Sequence, residues 1–177
     1  MGARCLPRRG RESLVMAPDA TATTLHDLLA GVPFFRELTQ EELGRIITLG
    51  RLVTYPKDAV LFTEGDPGEA LYIVVDGSIR VSKIVPGAKE EAMAFMERGA
   101  CVGEMALIDG FPRSATAIAH QECRVLFVEK QAFLNLLHED PVIARKILWA
   151  LCRTLSLRLR ETTDRIVALF AIITRPF

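Results

Sequence analysis

Glu104 and Arg113 stand nine positions apart in the run GEMALIDGFPRSATA, residues 103 to 117, with small residues and turn formers between and around them. A carboxylate accepts hydrogen bonds from vicinal hydroxyls, a guanidinium forks onto a phosphate, and short side chains let backbone amides approach an anion. Ribose, phosphate and close backbone contact together describe a nucleotide. The candidate contacts are Gly103, Glu104, Met105, Ala106, Arg113, Ser114 and Ala115. Glu104 to Ile108 is expected to form one helical turn whose free N–H groups and positive dipole end face an anion, with Gly103 allowing the close approach. The Gly110-Phe111-Pro112 turn then brings Arg113 back over the same spot, Ser114 supplies a hydroxyl and Ala115 leaves room. A charge-assisted hydrogen bond from such an arginine is worth roughly 1.5 to 3 kcal/mol net. As two isolated charges, Glu104 and Arg113 read more readily as an ordinary ion pair across a loop, worth about 0 to 1 kcal/mol. The glycines and the small residues after Arg113 weigh toward the pocket.

The surrounding pattern shows what must position these groups. From Thr23 the chain reads as helix, with Leu25, Leu28 and Leu29 on one face and a break at Pro33 before Phe34 and Phe35. Thr39 with Glu42 three residues later, ahead of Leu43, Ile46 and Ile47, reads as a capping box that opens a second helix. Between Leu52 and Glu129 the period changes to short β-branched runs divided by turn residues: VTYP, AVLFTEGDPG, ALYIVVDG, SIRVSKIVPG, EAMAFMERG, SATAIA and CRVLFVEK. Short strands at this spacing predict a small antiparallel roll. Asp76-Gly77 marks a tight hairpin within it. After Lys130 the helical period returns, first over Gln131 to Glu139 and then, past Asp140-Pro141, as one run from about Val142 to Ile173 without internal Gly or Pro. The fold class is therefore α+β: a jelly-roll-like antiparallel β-roll with N-terminal helices, a short helix after Gly103 and a long C-terminal helix. The expected divisions are a mobile tail over residues 1–22, the roll with its flanking helices over 23–141, and the long helix over 142–173.

On these residues the stretch closely resembles the phosphate-binding cassette of the cyclic-nucleotide-binding domain family, which includes bacterial cyclic AMP receptor proteins and regulatory subunits of cyclic-nucleotide-dependent kinases. The resemblance extends upstream through FTEGDPGEALYIVVDGSIRV, residues 62–81, where the family keeps glycines matching Gly65 and Gly77. It runs downstream to the end of the long helix. Val102 stands where the family usually carries an aromatic residue. The resemblance implies that Glu104 holds a ribose 2'-hydroxyl, that Arg113 neutralises a cyclic phosphate, and that the ligand is cyclic AMP in preference to cyclic GMP. LRLRETTDRIVAL resembles the receptor segment in which a hydroxyl pair touches the adenine from both subunits, making Thr162 and Thr163 base-contact candidates. A helix-compatible threonine bonding back to the preceding turn is the alternative. Ser114 leaves the base open, because a hydroxyl there accompanies guanine contact in cyclic GMP kinases and also occurs in bacterial cyclic AMP receptors.

Leu148, Leu151, Leu155, Leu159, Thr162, Ile166 and Leu169 follow one another by three or four residues along the long helix, a coiled-coil-like seam that needs a partner. By the resemblance that partner is a second copy, giving a homodimer through this helix. Receptor-type regulators continue into a helix-turn-helix domain, whereas this sequence stops at Phe177, so direct DNA binding is not expected and the downstream protein partner is unnamed. Arg158, Arg160 and Arg165 are interleaved with Glu161 and Asp164 and read as an ordinary solvated helix surface. A catalytic role lacks support: the sequence carries no nucleophile elbow, H-E-x-x-H, Walker loop or paired-carboxylate arrangement. Two further readings stay open, a same-fold dimeric scaffold that binds no cyclic nucleotide and a truncated transcription regulator.

Lys plus Arg balances Asp plus Glu, 22 against 22, so an anion must be captured locally and not by an overall field. Cys5, Cys101, Cys123 and Cys152 lie far apart without a C-x-x-C pair, which predicts reduced, buried thiols in a cytoplasmic protein and neither a disulfide frame nor a metal site. His26, His120 and His138 are equally scattered. The basic segment Arg4 to Arg11 precedes no apolar run long enough for a signal peptide or membrane span, so no membrane partner is expected. Met16 remains open as an alternative initiator.

Overall fold

A computed structural model gives the structure of residues 20–84 and 90–173. Thirteen elements run in order: α1 (Ala20–Gly31), α2 (Gln40–Leu49), β1 (Gly50–Tyr55), β2 (Val60–Phe62), β3 (Ala70–Asp76), β4 (Ile79–Ile84), β5 (Glu90–Met96), β6 (Cys101–Val102), α3 (Met105–Ile108), β7 (Thr116–Ala119), β8 (Cys123–Glu129), α4 (Lys130–Glu139) and α5 (Pro141–Ile173). Most of the tail expected over residues 1–22, with Cys5, lies outside the described residues, as do the VPG end of one strand run and residues 174–177. Residues 20–22 belong to α1 instead of the tail.

The strands form two four-stranded antiparallel sheets, ordered β1-β8-β3-β6 and β2-β7-β4-β5, which is the expected jelly-roll-like α+β roll. Chain-distant strands close the first sheet: Gly50 lies opposite Val128 and Tyr55 opposite Cys123. β3 shows why its sequence is apolar without alternation. Ala70, Tyr72 and Val74 enter the core between the sheets with Leu61, Ile79, Ala117 and Val125, while Leu71, Ile73 and Val75 enter a second core beneath the helices. A strand buried on both faces loses the period of two. The two-residue β6 was not expected from the sequence. It pairs its Cys101 with Ile73 and its Val102 with Tyr72.

The helical layer packs on the outer face of the first sheet. Leu29 of α1, Val32 and Phe35 of the turn after it, and Leu43 and Ile46 of α2 meet Phe133 and Leu136 of α4 and Ile143, Ile147 and Leu151 of α5. The capping box of α2 is present: the Thr39 hydroxyl accepts from the Glu42 N–H at 3.3 Å, and the Glu42 carboxylate accepts from the Thr39 N–H at 2.7 Å. Lys146 of α5 then donates to both Glu42 oxygens, at 2.7 and 2.8 Å, tying the helices together. Gly77 carries the expected hairpin at φ +79°, and a Cβ there would sit 2.3 Å from the Glu122 carbonyl oxygen. No helix among the described residues is long and apolar enough to cross a membrane.

α5 spans 33 residues, about 50 Å at 1.5 Å per residue. Its first half is docked through Ile143, Ile147, Ala150 and Leu151, and Thr154 and Arg158 continue that face half-buried. From Leu159 to Ala168 every residue is exposed. The seam read from the sequence therefore divides. Leu151 turns into its own domain, whereas Leu148, Leu155, Leu159 and Ile166 stay exposed. Cys152 replaces Leu151 in the row, four residues after Leu148 and three before Leu155, and its thiol is exposed and not buried as expected. The side chain of Leu169 lies outside the described residues.

Candidate functional site

β6 delivers the chain to Gly103, whose φ of +87° turns it toward Glu104 and the single helical turn α3. Phe111 N–H donates to the Asp109 carboxylate at 3.0 Å and Gly110 takes φ +68°, so the chain reverses and re-enters the roll at Arg113. There the Arg113 N–H donates to the Asp66 carbonyl at 2.8 Å, and the Gly65 N–H donates to the Arg113 carbonyl at 2.9 Å. The returning arm is thus zipped to the loop between β2 and β3. Gly68 of that loop lies so close to α3 that a Cβ would sit 2.2 Å from the Ala106 Cβ. Lys130, at the start of α4, donates to the Ala106 carbonyl at 2.9 Å.

The Arg113 side chain points inward and is 4% exposed. Its Nη1 donates to the Gly103 carbonyl at 2.9 Å and its Nη2 to the Ala70 carbonyl at 2.6 Å. The guanidinium carbon stands 4.2 Å from the centre of the Phe62 ring and 5.8 Å from that of Tyr72. Phe62, Tyr72 and Phe127 form a run of ring contacts at 5.6 and 5.4 Å beneath it. Burial pulls the guanidinium below its ordinary pKa, opposed by Tyr72, Glu104, Asp66 and Glu69. Burial likewise pushes the Tyr72 hydroxyl up to about 12. Arginine stays charged even so. Among the described residues no carboxylate reaches ion-pair distance of Arg113, and its Nε–H is buried without a partner. A buried cation satisfied only by carbonyls is costly unless an anion completes it.

Glu104, 7% exposed, is held differently. Arg158 of α5 is its ion-pair and hydrogen-bond partner. The simple loop pair of Glu104 with Arg113 is therefore not what forms. Cys101 lies alongside, and burial, with Glu104 adding to it, pushes that thiol well above its ordinary value. Burial pushes Cys123 up to about 11, so both buried cysteines are poor nucleophiles.

The expected residues are thus brought together in part. Gly103, Glu104, Met105, Ala106, Arg113, Ser114 and Ala115 form one continuous corner, with Met105 and Ser114 exposed and Ala106 buried. Gly103 has a role that the sequence did not reveal: a Cβ there would sit 2.2 Å from Arg113 Nη1, so its bareness makes room for the guanidinium. Thr162 and Thr163 lie one turn beyond Arg158, exposed, and donate to the carbonyls of Arg158 and Leu159 at 2.8 and 2.9 Å. Reading Arg158 as ordinary solvated surface is corrected by its contact with Glu104. The signal was present in the spacing, because Ile143, Ile147, Leu151, Thr154 and Arg158 recur on one helical face. Phe62, Tyr72 and Lys130 were also missed as supports of the corner.

The family model described as cyclic nucleotide-binding domain matches residues 52–140. The chain is 32% identical over 133 residues to the cyclic AMP receptor protein of Thermus thermophilus, covering 75% of this chain and 60% of that protein. It is 30% identical over 131 residues to the cAMP-dependent protein kinase regulatory subunit of Mycosarcoma maydis, covering 71% of this chain and 25% of that one. Its fold matches the crystal structure of a cyclic nucleotide-binding domain from Methylobacillus flagellatus with a TM-score of 0.73 at 30% identity, covering 84% of this chain and 83% of the other. The chain thus spans less than two thirds of the length of these two curated relatives.

Proposed function

Because this chain belongs to the cyclic nucleotide-binding domain family, we propose that it is a regulatory module that takes a cyclic nucleotide, cyclic AMP in preference to cyclic GMP, and works as a homodimer through α5. The observation that carries the ligand is Arg113, a cation 4% exposed, fixed by carbonyls and rings, with a buried N–H that has no partner. A cyclic phosphate supplies the missing anion and acceptor. It sits against Arg113, the Ser114 hydroxyl and the backbone at Gly103, Met105, Ala106 and Ala115, while Glu104 accepts from the ribose hydroxyl. Thr162 and Thr163 meet the base when α5 folds over it. The preference for cyclic AMP is supported by the Thermus and Mycosarcoma relatives, both named for that nucleotide. Their names also describe a receptor and a regulatory subunit, which favours a signal over a substrate.

The dimer is supported by the exposed row of Leu148, Cys152, Leu155, Leu159 and Ile166, an apolar stripe interrupted at Thr162 and of the kind that marks an interface. A ligand that prefers one position of α5 shifts the population toward it and so passes the signal to a partner protein. Titration calorimetry with cyclic AMP, cyclic GMP and a cyclic dinucleotide tests the reading. Arg113→Ala is expected to lower cyclic AMP affinity at least about tenfold, the loss of one charge-assisted hydrogen bond to phosphate. A wild-type protein that binds none of the three would instead favour the same-fold scaffold.

A further inference from the structure

Resting on the Arg113 pocket, we infer that Phe62 is a positioning residue whose ring keeps the guanidinium inside the roll before the phosphate arrives. An unliganded cation at this site has reason to leave. It is 4% exposed, no carboxylate among the described residues reaches ion-pair distance, and its Nε–H has no partner. Water outside the roll would hydrate it, so the inward position must be held by what surrounds it. The carbonyls of Gly103 and Ala70 accept one hydrogen bond each, from Nη1 and Nη2. Phe62 adds a contact directed at the charge, with the guanidinium carbon 4.2 Å over its ring centre, nearer than the 5.8 Å to Tyr72. A desolvated cation is drawn to the negative face of a ring, and an aliphatic side chain of similar size offers no such attraction.

The local backbone brings that ring in. Leu61 and Phe62 are successive residues, yet both pack on the core between the sheets. Regular alternation would send one of them out. The pairing of β2 with β7 shifts register between Val60 and Phe62, so that Val60 lies opposite Ile118 and Phe62 opposite the buried Ala117. Such an irregularity re-aims a side chain. The loop that follows returns to the arginine: the Gly65 N–H donates to the Arg113 carbonyl, and the Arg113 N–H to that of Asp66. Ring and guanidinium are therefore carried by segments tied to each other through the backbone. With both terminal nitrogens held and the ring alongside, the unpartnered Nε–H is the donor left for an anion. A site already populated in this position loses no affinity to drawing the arginine in.

Titration calorimetry with cyclic AMP on wild type, Phe62→Leu and Phe62→Tyr, alone and in the Arg113→Ala background, tests the role, with urea unfolding run on each protein. Phe62→Leu keeps the apolar bulk and removes the ring. It should bind about fivefold more weakly, the worth of one partly desolvated cation–ring contact, with its unfolding midpoint close to wild type. Phe62→Tyr, which keeps the ring, should bind like wild type. Once Arg113 is gone, Phe62→Leu should cost nothing further, because the ring acts through the guanidinium. The role is overturned if Phe62→Leu binds as tightly as wild type, if Phe62→Tyr loses as much as Phe62→Leu, or if the same loss recurs without Arg113. It is overturned equally if Phe62→Leu does not fold, which would make the ring structural. A wild type that binds no cyclic AMP would remove the pocket and this role with it, whereas a wild type that binds while Phe62→Leu is unaffected removes this role alone.

Discussion

Arg113 and Glu104 come from one short stretch of chain yet hang from different frames. Arg113 is gripped by the roll: carbonyls of Ala70 and Gly103, the backbone of Asp66, and the Phe62 and Tyr72 rings. All of these belong to strands, or to loops pinned to strands. Glu104 is gripped by the helical layer through Arg158. A domain whose two buried corner charges are mounted on separate layers can keep one fixed while the other follows a helix. Affinity can then reside mainly on the roll side, and its translation into movement on the helix side.

Substitutions on either frame should separate the two, and the largest effect is expected in the helical core. Ile143 is fully buried between α5 and the N-terminal helices, so Ile143→Ala should cost about 2 to 5 kcal/mol in urea unfolding. Arg113 should keep its anchorage among molecules that stay folded. If nucleotide affinity of the folded fraction collapsed as well, the two frames would be one. Gly103→Ala attacks the other side, because it forces a side chain into φ +87° and against Arg113 Nη1. About 1 to 3 kcal/mol of stability should be lost, with affinity falling tenfold or more, while the packing of α5 reported by hydrogen exchange is unchanged.

The smallest effect is expected at Glu42, where the hydrogen bond from Lys146 holds the carboxyl below its ordinary value of 4.5. A carboxyl depressed in the folded state adds stability above its unfolded pKa and loses it as pH falls through the folded one. Glu42→Gln should therefore flatten the stability profile on the acid side of pH 4.5, cost under about 1 kcal/mol at neutral pH, and leave nucleotide affinity untouched. An affinity change equal to that of Gly103→Ala would contradict the division.

Much of this arrangement was legible in the sequence wherever a local rule governs. Thr39 and Glu42 announced the start of α2, Asp76-Gly77 the hairpin, and Asp140-Pro141 the boundary of the last two helices. The corner from Gly103 to Ala115 was legible as a turn that brings Arg113 back against Gly103, because its glycines and proline set the reversal. What stayed hidden was set by chain-distant neighbours. β6 is two residues long and exists because β3 offers it partners. Gly103 is bare for the sake of a guanidinium ten positions on. Leu151 and Cys152 exchange places in the seam because three-to-four spacing admits either, and only packing against the roll decides. Arg158 was masked by the charges around it, although its helical face pointed to the domain.

The pairing of Gly50 with Val128 carries a consequence for how the molecule comes into being. β1 is made early and has no neighbour in its sheet until β8 has been synthesised, since β8 lies between it and β3. During translation β1 must wait, its apolar Leu52 and Val53 exposed, and closure brings together distant segments at once. Such non-local topologies fold over milliseconds to seconds, not microseconds. A ribosome stalled before Cys123 would therefore carry a nascent chain whose first sheet cannot close, and chaperone engagement should fall once β8 has left the tunnel.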